Sequence, residues 1–247
     1  MSGHNKWSTI KHKKGAADAK RSKIFSKIVK EIQVAVKEGG PDPDHNARLR
    51  LVIQNAKGVS MPKDNIERAV KGGNKDASSF FEVTFEGYLP NAVAVFIECT
   101  TDNQQRTVSN IRSIFNKYNG NLGTNGSLAF IFDRKGVFAI PKENFKGDEH
   151  ELELIDGGAE DIDEEDGYIS VTTAMEDFGR MQKKLEELNI DVENARLQRI
   201  PKDYVRLGKE ETKKIMKVLE VFEEDDDVQN VYHNLDIPDE LYEEMED

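Results

Sequence analysis

Cationic side chains crowd the first thirty residues: Lys6, Lys11, Lys13, Lys14, Lys20, Arg21, Lys23 and Lys27, with His4 and Trp7 among them. Groups of this type at this density perform no covalent chemistry by themselves, but they hold phosphate. Each phosphate they neutralise releases condensed counterion, which supplies binding free energy without regard to base sequence. A Trp among lysines can also stack on a nucleobase, worth about 1–3 kcal/mol. His4 and His12 have no cysteine or acidic neighbour at ligand spacing, so they read as hydrogen-bonding groups rather than metal ligands. The charge of the rest of the chain sharpens the contrast. Residues 1–75 carry 17 Lys and Arg against 7 Asp and Glu, a net +10, whereas residues 76–247 carry 18 against 40, a net −22. The overall −12 and pI near 5.0 hide this asymmetry. A polyanion is attracted to one end of the chain and repelled by the other.

Other candidate chemistry is weaker. No Walker loop, zincin helix, nucleophile elbow or cysteine zinc site occurs, so neither an enzyme nor a cofactor is expected. Asp161, Asp163 and Glu165 match positions 1, 3 and 5 of a calcium loop. However, Asp166 stands where that loop needs glycine and Thr172 where it needs glutamate, so the segment reads as a charged hairpin. Gly120, Gly123 and Gly126 could present backbone N–H groups to an anion. The same run reads more simply as a helix-to-strand connector. Cys99, the single cysteine, lies in the apolar run AVAVFIEC and reads as an inert core thiol in a reducing cytosol.

Positioning these groups requires folded elements. Ile24, Phe25, Ile28, Val29, Ile32, Ala35 and Val36 form an amphipathic stripe, with Gly39-Gly40 and Pro41 ending the helix. Asp42-Pro43 reads as the start of a second helix closed by Gly58, and a third runs from Pro62 to Gly72-Gly73. Together these make a basic arm and three-helix bundle over 1–75, followed by a linker at 72–79. Period-two patterning then predicts strands at 81–88 and 93–99, a helix at 104–118 and a strand at 128–132. A βαββαβ series follows, with strands at 136–140, 159–163, 167–173 and 192–199 and helices at 147–156 and 174–188. This is the order of a ferredoxin-like domain. The helix at 209–223 and strand at 228–233 have no sheet of their own. They are expected to complete the unit begun at 80–133, giving a discontinuous domain of 80–133 with 203–235 and an inserted domain over 134–202. The fold class is therefore α+β, with the insert projecting as an arm away from the basic bundle. The acidic residues 236–247 read as a solvated tail.

At 37% hydrophobic and 33% charged residues, the chain can build several small cores. It contains no apolar run of membrane-spanning length and no secretory h-region, and a cytoplasmic location is expected.

Several segments carry a resemblance: MSGHNKW at 1–7, IKHKKGAADAKRSKIFSKIVKEI at 10–32, NARLRLVIQNAK at 46–57, MPKDNIERAVKGG at 61–73, FEGY at 85–88, TDNQQRT at 101–107 and GNLGTNGS at 120–127. Together they resemble the YebC/PmpR family, described as probable transcriptional regulatory proteins, which also includes the mitochondrial translational activator of cytochrome c oxidase. The resemblance implies a helical first domain and two α/β domains, one split by the other. It also implies a nucleic-acid partner, either DNA in transcription regulation or rRNA on the ribosome. The chain departs from the family at Gln104-Gln105 and at Leu89-Pro90-Asn91-Ala92, where the family usually has Gly-Pro-Gly-Gly. Functional carry-over is restricted to the basic arm and first helix.

Overall fold

The computed structural model describes residues 18–76, 80–165, 167–238 and 241. They fall into two compact units. The first joins the described residues up to Lys75 with Arg134–Ile200, and the second joins Asp76–Asp133 with the described residues from Pro201 onward.

In the first unit, α1 (Asp18–Gly39), α2 (Ala47–Gly58) and α3 (Lys63–Asp76) pack around Ile28, Ile32, Ala35, Leu49, Val52, Ala56, Ile66 and Ala69. Gly40 ends α1 at φ +86°, its N–H bonded to Val36 O at 2.8 Å, as the glycine pair predicts. The start of α2 differs from expectation. Asp42 and Pro43 belong to a turn in which Asp42 Oδ1 accepts from Asp44 N–H at 2.9 Å, and Asn46 is the true N-cap. Buried Asn46 accepts from Leu49 N–H at 3.0 Å and donates to Ala35 O at 2.7 Å and Gly40 O at 2.8 Å. It thereby caps one helix and ties it to backbone carbonyls at the end of another, which Asp42 does not do. The third helix also runs past the Gly72-Gly73 pair to Asp76, because Gly73 is a packing residue there. A Cβ at Gly73 would lie 2.8 Å from Val36 Cβ.

The insert contributes a sheet of order β5-β6-β4-β7, from β4 (Phe132–Pro141), β5 (Ala159–Glu165), β6 (Tyr168–Ala174) and β7 (Asn194–Pro201). The pairs β4–β6 and β5–β6 are antiparallel, so β4 and β5 run parallel with β6 between them, the split pattern of a ferredoxin-like domain. Helices α5 (Asp148–Asp156) and α6 (Phe178–Glu187) supply Leu154, Met181 and Leu185 to a core with Phe138, Ile140 and Val171. The helix expected at 174–188 begins only at Phe178, because Ala174 still pairs with Lys135 in the sheet. Asp161 and Asp163 lie in β5 of an antiparallel hairpin with β6, rather than in a loop that could wrap a cation.

The second unit has a sheet of order β3-β1-β2-β8, from β1 (Phe81–Leu89), β2 (Val93–Thr101), β3 (Asn121–Leu122) and β8 (Val228–His233). Helices α4 (Gln104–Lys117) and α7 (Lys209–Glu224) bring Ile111, Phe115, Ile215, Leu219 and Phe222 against Val95, Ile97 and Val231, and Cys99 is buried in the same core. The chain after the insert therefore completes the sheet, with β8 antiparallel to β2. The strand expected at 128–132 is instead a turn, and the strand of this region is the two-residue β3 on the edge of β1. Leu128 and Phe132 cover Ala94, Phe96 and Tyr232 on the sheet face away from the helices, which accounts for the apolar run that mimics a strand. The beginning of the acidic segment is not solvated either. Ile237 and Leu241 are buried in this core, and Asp236 pairs with Arg206 at 2.7 Å.

Where α7 leads into β8, Asp227 is closed over by α4. It accepts from Arg106 Nη2 at 2.8 Å, Arg106 Nε at 3.2 Å and Thr107 Oγ1 at 2.9 Å, while its backbone carbonyl accepts from Thr100 N–H at 2.8 Å. Its side chain is only 5% exposed. The hydrogen bonds to Asp227 and then Asp102 raise the Arg106 guanidinium above its ordinary value. Asp227→Ala removes the buried acceptor shared by Thr107 and Arg106 and is expected to cost about 2 kcal/mol, below the usual range for a fully buried pair because Arg106 is half-exposed and keeps Asp102 while Thr107 keeps Asn103 O. The urea midpoint of the full chain measures this, and Asp102→Ala, which removes an exposed partner, is expected to leave it nearly unchanged.

The turn between β1 and β2 places Asn91 at φ +63° and Ala92 at φ +59°. Asn tolerates this conformation, whereas Ala is strained in it by about 1 kcal/mol. Ala92→Gly is expected to stabilise the protein by about 0.5–1 kcal/mol despite the greater freedom of the unfolded glycine, read as a higher melting temperature.

Candidate nucleic-acid interface

The helical stripe of α1 buries Ile28, Ile32, Ala35 and Val36, and this burial fixes where its cations stand. Lys23, Lys27, Lys30 and Lys37 recur at i, i+4, i+7 and i+14, a spacing that keeps them together on the side away from the bundle core. Lys23, Lys27 and Lys30 are half-buried, Lys37 is exposed, and each takes part in an interaction of its own. Arg21, one turn before Ile24, is exposed. Of the remaining sequence-derived residues, Lys20 lies in the first turn of α1. His4, Lys6, Trp7, Lys11, Lys13 and Lys14 lie outside the described residues. The structure thus brings Lys20, Arg21, Lys23 and Lys27 onto one helix.

Sequence reading passed over exposed bases on the other helices of the bundle. Arg68 and Lys71 recur at i and i+3 on α3, and Lys57 closes α2. The signal was available as cations off each helix's apolar stripe. Arg48 and Arg50 serve the fold instead. Arg48 pairs with Glu38 at 2.6 Å, and Arg50 donates to Pro43 O at 3.2 Å.

The bundle does not stand apart from the insert, contrary to the projecting arm expected from sequence. Asn55 of α2 uses its amide as a strand edge would: Nδ2 donates to Ala195 O at 2.9 Å and Oδ1 accepts from Ala195 N–H at 3.0 Å. Gln54 Nε2 donates to Val192 O at 3.1 Å, and Leu51 packs against the insert core. Gly58, read from sequence as a helix stop, permits this approach, since a Cβ there would lie 2.1 Å from Glu193 O. The positive φ after α2 belongs to Ser60. An arm was expected because the amide contacts involve residues about 140 positions apart, with no local pattern to announce them.

The glycine-rich segment also resolves. Its backbone does present N–H groups to an anion, but the anion is the protein's own buried Glu86. Its carboxylate accepts from Gly126 N–H at 2.7 Å and Leu128 N–H at 2.6 Å, while Glu86 O accepts from Gly123 N–H at 2.7 Å. The segment acts as a connector closed on β1, with its donors occupied. Among the described residues, no group of three or more His, Cys, Asp or Glu side chains could hold a metal ion. Nor is any described helix long and apolar enough to cross a membrane.

Asn55→Ala is expected to expose the Ala195 amide and accelerate its hydrogen exchange by roughly tenfold, equivalent to about 1.4 kcal/mol. Amides of the β4–β6 pair should keep their protection. Gly58→Ala should produce the same local signature by separating the backbones.

Comparison with known proteins places this architecture among relatives. Residues 5–76 match the family model described as "TACO1/YebC protein N-terminal domain", and residues 80–235 match "TACO1/YebC second and third domain". A protein of Amoebophilus asiaticus named "Probable transcriptional regulatory protein" is 50% identical over 239 residues, covering 95% of this chain and 98% of its own. One of the same name from Geotalea uraniireducens is 49% identical over 247 residues, covering 99% and 100%. The crystal structure of a conserved hypothetical protein from Aquifex aeolicus superposes with a TM-score of 0.83 at 40% identity, covering 95% of this chain and 98% of that one.

Proposed function

This chain belongs to the TACO1/YebC family, and on that premise we propose that it is a non-enzymatic, cytoplasmic regulator of gene expression that binds nucleic acid through residues 4–30. The observation that carries this reading is the net +10 of residues 1–75, set in a chain whose remainder is −22. The relatives' name, probable transcriptional regulatory protein, favours DNA as the polyanion. Phosphate contacts from Lys11, Lys13, Lys14, Lys20, Arg21, Lys23 and Lys27 supply affinity, and His4, Lys6 and Trp7 extend the contact along the strand. Contacts of this type position a protein on nucleic acid but do not read its sequence. Ribosomal RNA is the alternative polyanion, supported by the translational activator within the family that the sequence resembles. Crosslinking in cells followed by sequencing separates the two: promoter DNA as the main product supports transcription regulation, and large-subunit rRNA as the main product replaces it with action in translation.

Changing Lys13, Lys14, Lys20 and Arg21 together to Ala is expected to weaken binding to unrelated sequences alike. It should also flatten the dependence of log K on log salt by about one unit per lost contact. Far-ultraviolet circular dichroism should be nearly unchanged. A quadruple variant with the wild-type slope would exclude this surface.

A further inference from the structure

The insert's first helix carries a surface that neither the fold nor the nucleic-acid reading uses. Helix α5 has the sequence DEHELELID, and its inward side is satisfied by His150 and Leu154, both buried. Two further large apolar side chains remain, and both face water. Leu152 is 67% exposed and Ile155 is 51% exposed, three residues apart and therefore neighbours along the helix surface. Single exposed apolar residues are ordinary, but an adjacent pair on a nine-residue helix that otherwise carries five carboxylates is not. Of those carboxylates, Glu153 is engaged by Lys184 of α6 at 2.8 Å, which lowers its pKa through that hydrogen bond. Asp148, Glu149, Glu151 and Asp156 are exposed and form no ion pair among the described residues.

We propose that the outer face of α5, with Leu152 and Ile155 at its centre and Asp148, Glu149, Glu151 and Asp156 around them, docks a lysine- or arginine-rich protein segment that carries apolar side chains. Charge decides the occupant. The insert holds 18 acidic against 9 basic residues over 134–200, so nucleic acid and anionic lipid surfaces are repelled from it. A cationic segment is attracted, and its apolar residues remove Leu152 and Ile155 from water. The arrangement is that of an interface in miniature, with an apolar centre supplying affinity and a charged rim supplying rate and selectivity. Because α5 is anchored by Leu154 and His150 and by Arg180, which donates to Gly157 O at 2.9 Å and Asp156 O at 3.1 Å, the face is held ready without a partner.

The test uses the full chain and a fluorescein-labelled amphipathic peptide of lysine and leucine, with an all-lysine peptide of equal length as control. Fluorescence anisotropy is expected to show the lysine–leucine peptide binding at least about tenfold more tightly than the all-lysine one. Leu152→Ser with Ile155→Ser should remove that advantage, and Glu149→Gln with Glu151→Gln should weaken both peptides and reduce the salt dependence. Methyl NMR spectra should show the Leu152 and Ile155 signals shifting on titration of the lysine–leucine peptide. Both apolar residues are exposed, so the double variant is expected to keep the wild-type melting temperature, and salt-dependent nucleic-acid binding should also be unchanged. Equal binding of the two peptides, an undiminished affinity in the double variant, or shifts confined to other residues would overturn the proposal. So would a concentration-dependent dimer that the double variant abolishes, because a second copy would then be the occupant.

Discussion

Asp227 sits where α7 leads into β8, and the closure of the discontinuous domain converges on it. Its carboxylate takes hydrogen bonds from Arg106 and Thr107 at the start of α4, and its carbonyl takes one from Thr100 at the end of β2. Three segments, two before the insert and one after it, are thereby held at one point. A carboxylate with its side chain only 5% exposed is tolerable because each donor comes from an element fixed independently by the apolar core. The return of the chain also accounts for the Arg-Thr pair in TDNQQRT: one residue forks the carboxylate while the other caps it from within the helix. Lys202 bridges Asp133 at 3.1 Å and donates its backbone N–H to Ile131 O at 2.9 Å, so the chain enters and leaves the insert side by side.

The bundle and insert meet in a different way. One carries the positive charge of the chain and the other a net −9, yet the uncharged amides of Gln54 and Asn55 make hydrogen bonds between them. An amide that pairs with both groups of Ala195 substitutes for a missing strand and satisfies a sheet edge that would otherwise be open. Such bonds are insensitive to salt, whereas attachment by surface ion pairs would weaken under the same conditions that weaken phosphate binding.

Two segments that could suggest an ion site are structural. The glycine-rich segment is occupied by Glu86, and the acidic β5 belongs to a hairpin at the sheet edge. Charge on an edge strand discourages pairing with another chain, which gives Asp161 and Asp163 a structural reason to be there.

The sequence by itself determined the elements whose signal is local. The stripe from Ile24 to Val36, the alternation of β1, the βαββαβ order of the insert and the isolation of 209–233 without a sheet were all legible, because burial imposes a period on the chain that forms it. So was the concentration of positive charge before residue 75, which depends only on composition. Tertiary structure alone decided what distant partners do to residues of ambiguous meaning. Gly58 and Gly73 look like helix stops, but their missing side chains make room for Glu193 and Val36. Leu128 resembles part of a strand, but it lies in a turn and packs with Phe132 on the open face of a sheet. Asn55 looks like an ordinary polar helix residue until Ala195 stands opposite it. Each depends on a contact across the chain, and sequence spacing carries no record of which backbone will approach.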